Sequence, residues 1–487
     1  MCSCGNYFSA IDAEPLGHDY QEHEGKEATC HEGGWKVYQT CSRCDYTNYE
    51  EIPAFYEHKY DDGFCVRCNE PEPTLNALSF TLIPVGHDSE KDEYSYAYSV
   101  KANSKTIKEV IIPSLYNGKE VFEIAADAFN GCAYLTDVYI SDGLKSIRSS
   151  AFESCPSLKN VRIPDSIAGI SSFAFYGCTA LAEISLPDGV EGIGLEAFRD
   201  CSSLKSIVIP DGVTSIDWFT FCNCTSLTSI TIPNSVREIG WNAFENCSSL
   251  TSVTIPDSVK EIGHMAFKDC SSLQSLTISN NVEKIEGWTF SGCSALTSVV
   301  IPNGVKEIGY AAFENCSSLK SVSLPGSVTS IDRYVFRNCS SLASITIPNG
   351  FKEISDGLFE GCTSLTSVTL PNSLTSIGIG AFECCKSLTS ITIPNGVTYI
   401  GYKAFRVCTS LSSIIIPDSV KEMKEDVFIW CESLTIYCEA LAEPARWSDS
   451  WNYDDCPVYY YSESKPTDEG NYWHYDTDGV TPVIWTK

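Results

Sequence analysis

Residues 250–272 read LTSVTIPDSVKEIGHMAFKDCSS, and this 23-residue line recurs along most of the 487-residue chain with almost no drift. Phe267 has a counterpart at every 23rd position from Phe129 to Phe428, and Cys270 has one at every 23rd position from Cys132 to Cys431. Fourteen copies without an insertion or deletion mark a solenoid, in which each repeat is one unit stacked on the next. The period therefore overrides the domain count that length alone suggests.

Inside the copy, Val253 and Ile255 fall on one face of a short strand, with Leu250 leading into it. Pro256 ends the strand, and Asp257 and Ser258 suit a turn. Val259 and Ile262 point inward again, Gly263 makes a corner, and Ala266, Phe267 and Cys270 occupy a short helical turn. One copy has no second layer to bury these side chains. Stacked copies bury them against their own counterparts, so stability becomes a sum of repeat and interface contributions.

The pattern L-x-x-I-x-I/L-P-x-x-V/L-x-x-I-G-x-x-A-F-x-x-C resembles the BspA-like (Treponema pallidum-type) class of leucine-rich repeat over residues 111–437. It departs from the plain leucine-rich repeat by placing Pro256 and its counterparts where Asn or Cys would follow the first strand. The resemblance implies a curved parallel-β solenoid on a bacterial or protozoan surface protein, used for adhesion to host matrix proteins or other cells. It implies no enzymatic activity. The segments flanking the array look like that family's caps.

The expected organisation is a Cys/His-rich module over 1–72, an N-terminal β cap over 73–123, the solenoid over 124–437 and an aromatic-rich C-terminal cap over 438–487. In the first module, Cys41, Cys44, Cys65 and Cys68 form C-x2-C-x20-C-x2-C, at the long edge of zinc-ribbon spacing. A second grouping takes His18, Cys30, Cys41 and Cys44 as one site, with His58, Cys65 and Cys68 as a remnant. Structural zinc would compensate for a small core; disulfides would do so equally in an oxidising compartment. CDYTNYEEIPAFYEHKY mirrors CGNYFSAIDAEPLGHDY, and Cys41 aligns with Met1. The chain is thus expected to begin inside a copy of this second repeat.

In the 73–123 cap, LSFTLIPV and YSYAYSVKA alternate like strands around the turn HDSEKDE. Residues 106–129 are then a stretched repeat with extra residues around Tyr116–Gly118. In the exit segment, Trp447, Trp451, Trp473 and Trp485 crowd among tyrosines. Two readings stand there, a cover for the last coil or a separate sugar-binding module, and Cys438 and Cys456 can pair in an oxidising setting.

With 33 basic against 63 acidic residues and a net charge of −30, the composition argues against nucleic acid or an anionic membrane as partner. No stretch reaches the roughly 18 apolar residues of a spanning helix. Met1 is followed by neither a basic nor an apolar leader region. The expectation is an extracellular or cell-surface protein whose signal peptide is missing from this chain, or a cytoplasmic one if Met1 is the true start. No G-x-S-x-G, H-E-x-x-H or P-loop is present, so no catalytic residues are expected, and the only candidate cofactor is structural zinc.

The fourteen repeat cysteines have two equal neighbours each and parallel side chains, so buried free thiols fit better than disulfides. Cys222 and Cys384 lie off that column, seven repeats apart. Two further columns face outward. Two residues after each repeat leucine stands a serine at every step from Ser206 to Ser413, and the next outward column is mostly threonine. That uncharged face either binds extended chains or glycans or simply keeps a long sheet soluble.

The pair between Gly263 and Ala266 varies most. Its first member reads Leu195, Trp218, Trp241, His264, Gly287, Tyr310, Arg333, Asp356, Ile379 and Tyr402, and its second adds Phe219, Met265, Trp288 and Tyr334. Trp218, Phe219, Trp241, His264, Trp288, Tyr310, Tyr334 and Tyr402 are the candidate binding residues, because large aromatics at a free position are the hot-spot type. The bland alternative is that they shield the coil corner. Partners on this reading are host matrix or cell-surface proteins, or glycans if the chain belongs to a larger secreted protein; an intracellular interaction scaffold is the third reading. Asn223, Asn246, Asn315 and Asn338 form sequons that matter only if a eukaryote secretes the chain.

Overall fold

The computed structural model describes residues 20–24, 34–35, 38–41, 51–52, 60–61, 64–65, 74–88, 93–467 and 470–486. The chain divides into two compact units, Met1–Leu75 and Asn76–Lys487. In the first, Tyr20–His23 pairs antiparallel with Tyr38–Cys41, Gly34–Trp35 with Glu51–Ile52, and Tyr60–Asp61 with Phe64–Cys65. Cys41 and Cys65 lie on these strands, but their side chains, and all of Cys44, Cys68, His18, Cys30 and His58, lie outside the described residues.

The second unit is the solenoid. Most coils contribute a strand of about three residues, such as Ser252–Thr254, and one of two, such as Glu261–Ile262; around Glu183 and Thr392 the first is reduced to a single bridge. Each strand pairs in parallel with the same residues one repeat away, Ser252 with Ser275 and Glu238 with Glu261. Val253 is buried while Ser252 and Thr254 are exposed, as the alternation requires. At the start, Leu78–Asp88 and Glu93–Ala102 form an antiparallel hairpin whose inner strand is joined by Lys119–Ile124, so the cap extends the second column of strands.

The expected helical turn takes an unusual form. Lys268 N donates to Met265 O at 3.1 Å and Cys270 N to Phe267 O at 3.3 Å, closing successive i→i+3 turns. Met265 and Asp269 carry φ of 57° and 59°, and this left-handed backbone stops the turns from merging into a helix. The alternate amides thereby freed point along the solenoid axis. Met265, Phe267 and Asp269 donate to Gly287, Thr289 and Ser291 of the next coil at 3.1, 2.9 and 2.7 Å.

Phenylalanine, cysteine and leucine columns fill the interior beside the inward valines and isoleucines of the two strands. Ring centroids of Phe129 through Phe428 follow one another at 5.0 to 6.0 Å, nearly parallel, and the run ends edge-on against Trp451. From Cys155 onward each repeat thiol donates to the carbonyl of the phenylalanine 26 residues earlier, as in Cys155 Sγ to Phe129 O at 3.1 Å and Cys293 Sγ to Phe267 O at 3.4 Å, while Cys132 at the start contacts Ser104 O. The repeat leucines, Leu135 through Leu411, are fully buried beside them. The repeat cysteines are free and buried. Cys438 and Cys456 are also free thiols, so the pairing considered above is not made. Cys456 instead extends the thiol column, its Sγ 3.6 Å from Cys431 O.

The exit segment closes the array. Thr435–Cys438, Val458–Tyr461 and Tyr472–Tyr475 continue the first column in parallel, and Pro482–Ile484 turns back against the last. Trp447, Trp451 and Trp473 are buried, with Trp473 Nε1 donating to Cys438 O at 2.9 Å. These indoles are therefore spent on covering the end.

Burial pushes the Cys155 thiol up to about 12 and raises those of Cys178, Cys224 and Cys247 well above the ordinary value. An unfolded thiol ionises at about pH 8.5, whereas these four keep their protons in the stack; only at the column's end does a hydrogen bond from Cys408 lower the Cys431 thiol. Their contribution to stability is whole below about pH 8.5 and is lost as pH rises toward the raised native values. Urea midpoints should therefore fall steadily from about pH 8 to pH 10.5; a flat profile would show that the column does not hold its protons.

Candidate functional site: an aromatic ridge

Of the variable pair, the first member projects outward and the second sits in the left-handed region. Phe173, Phe219, Met265, Trp288 and Tyr334 have φ of 60°, 56°, 57°, 54° and 60°. Asn242, Gly357, Gly380 and Asp426 occupy the same place elsewhere, and these residue types tolerate it. A bulky side chain there costs about 1–2 kcal/mol of backbone strain. Glu196, Ala311 and Lys403 stand there too, so the left-handed turn belongs to every coil and the aromatic residues are fitted onto it.

The first cluster is built on glycine. Trp218 and Trp241, each 48% exposed, stack at 5.2 Å and 15°. A Cβ on Gly240 would come within 2.7 Å of Trp218 Cδ1, and one on Gly263 within 2.5 Å of Trp241 Cδ1. Each indole thus lies flat on a coil corner that only glycine leaves open. His264 meets the other side of Trp241 edge-to-face at 5.3 Å, and its Nε2 is 3.3 Å from Glu286 Oε2, which also takes Lys284 Nζ at 3.0 Å.

Gly287 interrupts the column next, and a second cluster follows. Trp288 packs on Tyr310 at 4.7 Å, and Tyr310 meets Tyr334 at 5.6 Å. Phe219 lies under the Arg199 guanidinium at 5.0 Å, and Tyr402 stands apart under Lys403 at 4.5 Å. The eight candidates are therefore two clusters and two cation-covered rings, rather than one stripe. Beside the first cluster, Glu238, Lys260, Glu261, Asn281 and Glu283 join Trp241 and His264 around a groove of about 500 Å³. Sequence reasoning passed over these polar residues; Glu238 and Glu261 hold the outward position just before an inward isoleucine, and Lys260 and Glu283 the position before that.

Among the described residues, no three His, Cys, Asp or Glu side chains come together as a metal-holding group, and no helix is long and apolar enough to cross a membrane.

The comparisons with known proteins agree with this geometry. The profile of the BspA type Leucine rich repeat region (6 copies) matches residues 99–227, 192–320 and 306–435. The chain belongs to the BspA-type leucine-rich-repeat family. A leucine-rich repeat protein from Bacteroides ovatus is 31% identical, with a TM-score of 0.68 over 78% of this chain and 98% of that one. A leucine rich cell surface protein from Faecalibacterium prausnitzii is 27% identical with a TM-score of 0.44, covering 72% of this chain and 98% of its own. The T. pallidum leucine rich repeat protein is 26% identical with a TM-score of 0.29 over 55% of this chain and 89% of that one. No curated protein sequence matches.

Trp288 holds the left-handed position with φ of 54°, and relief of its strain can be probed directly. Trp288→Asn removes about 1–2 kcal/mol of backbone strain and about 0.5–1.5 kcal/mol of contact with Tyr310. Thermal melting of the variant should consequently sit within a few degrees of the parent (about 1 kcal/mol). A collapse of the array would show that the indole is needed for folding.

Proposed function

We propose that this chain is a non-catalytic recognition protein of the cell surface, and that the ridge of Trp218, Trp241, His264, Trp288, Tyr310 and Tyr334 meets a protein partner. One observation carries the reading. Two large indoles are held half-exposed at positions where the repeat demands neither, with neighbouring rings kept in strained backbone. Exposed, well-anchored aromatic residues are the side chains that dominate interface energetics. The family's repeat architecture, an extended surface rather than an enclosed cleft, supports recognition over catalysis.

The ring geometry favours protein over sugar. Trp241 is covered by Trp218 on one side and His264 on the other. What it offers to solvent is its edge, whereas a pyranose needs an open ring face. A flat apolar edge suits burial against a partner's side chains, and extracellular matrix or cell-surface proteins are the partner class that accords with the family resemblance.

The test is replacement of Trp218, Trp241 and Trp288 together by alanine. Binding to immobilised matrix proteins and to whole cells should weaken at least tenfold, about 1.4 kcal/mol or more, while the thermal midpoint stays within a few degrees. Unchanged affinity would sink the ridge as the contact surface. Parent and variant should both fail to bind a panel of neutral oligosaccharides; capture of one by the parent alone would replace the protein partner with a glycan.

A further inference from the structure

The first-strand face changes character along the array. From Ser206 onward one outward column is serine throughout, and its companion is hydroxyl-bearing apart from Val208, Val300 and the last coils. In the preceding coils the same two columns hold Glu109, Asp137, Asn160 and Glu183, opposite Ile111, Tyr139, Arg162 and Ser185. The register is continuous, because Asp137 pairs with Glu109 on one side and Asn160 on the other, and Glu183 bridges to Ser206. Together these residues line a groove of about 650 Å³ that ends at Val208, itself 72% exposed.

One column of the groove carries the carboxylates of Glu109, Asp137 and Glu183 with Asn160 among them, and the other mixes Ile111, Tyr139 and Val208 with Arg162 and Ser185. Arg162, the one basic side chain among the lining residues, is already committed. Its guanidinium lies 4.5 Å above the Tyr139 ring, its Nη1 donates to Ile140 O at 3.0 Å, and its Nη2 is 3.6 Å from Asp142. Asn160 Nδ2 donates to Asp137 Oδ1 at 2.7 Å, which favours the ionised carboxylate there. Glu109 and Glu183 are exposed.

We propose that this groove seats an extended, basic segment of a partner polypeptide, with cationic side chains on the carboxylate column and an apolar side chain against Val208. The spacing fits. Glu109 and Glu183 are three coils apart, about 14 Å at strand spacing, and residues i and i+4 of an extended chain, which share a face, are also about 14 Å apart. A neutral oligosaccharide would leave the carboxylate row without an opposing charge. This surface lies on the strand face and does not depend on the aromatic ridge.

The experiment is fluorescence anisotropy of the full chain with a labelled lysine-threonine-valine-threonine-lysine peptide, and with a control carrying glutamate in place of lysine. The basic peptide should bind, and its affinity should fall as salt is raised; the acidic control should not bind. Glu109→Gln with Glu183→Gln, at exposed positions that keep shape and fold, should lower affinity roughly fivefold, with an unchanged thermal midpoint. Trp218→Ala with Trp241→Ala should leave this binding intact. The proposal is overturned if the basic peptide fails to bind, if the double glutamine variant binds it equally well, or if a neutral oligosaccharide binds the groove in its place.

Discussion

A constant step of 23 residues places every side chain against its own counterpart one coil away, and the rest of the structure answers to that constraint. Apolar columns gain from it, since each buried phenylalanine contributes about 1.5–3 kcal/mol and also finds a parallel ring on either side. A charged column gains only where signs alternate, as they do over much of the position after the phenylalanine, although Glu360 there is followed by Glu383 and Glu238 pairs with Glu261 on the second strands. Lys268 reaches Glu245 at 3.0 Å, Arg337 lies between Glu314 and Glu360 at 3.5 and 3.0 Å, and Arg406 pairs with Glu383. Such part-exposed pairs are worth about 0–1 kcal/mol each. At these steps a charge meets its opposite rather than its own kind. Asparagine solves the same problem without charge, as Asn246 donates to Asn223 and Asn338 to Asn315, both at 3.0 Å.

The same step aligns backbone dipoles. In the turn segment every axial amide points toward the C-terminal end and every carbonyl toward the N-terminal end, so each hydrogen-bonded file has a negative and a positive terminus. The caps meet these ends with the appropriate sign. Lys105 Nζ donates to the carbonyl of Asn130 at the start, and the Asp454 carboxylate accepts from Trp430 N at the finish. A solenoid cap thus has two tasks, to cover apolar surface and to satisfy an aligned row of backbone groups.

The period, the inward residues and the outward serine column were legible because each rests on alternation and repetition alone. The cysteine was legible as a buried thiol but not as a donor, since its acceptor lies 26 residues earlier and only coil stacking brings the two together. The left-handed positions were half-visible. Asn223, Asn246, Asn315 and Asn338 with Gly292 and Gly361 mark one of them plainly, whereas Phe219, Trp288 and Tyr334 hide the other, because aromatic residues argue against positive φ. The split of the ridge at Gly287 and the acidic groove of the first coils escaped notice for a different reason. Both are breaks in a column, and a consensus read from the middle of the array averages them away.

Those breaks are where an otherwise uniform rod acquires addresses. A column that never varies presents the same surface at every coil, so a partner could slide along it by one step with no change in energy. Specific docking needs positions that fix the register. The change from Glu183 to Ser206 on the strand face, the glycine seats under Trp218 and Trp241, and the gap at Gly287 each occur at one place along the axis. A partner contacting any of them can bind at one step only, since a shift of one coil would set charge against hydroxyl or a ring edge against an empty corner. Repetition supplies the fold's stability, and the local exceptions to it supply the only means by which such a surface can be read.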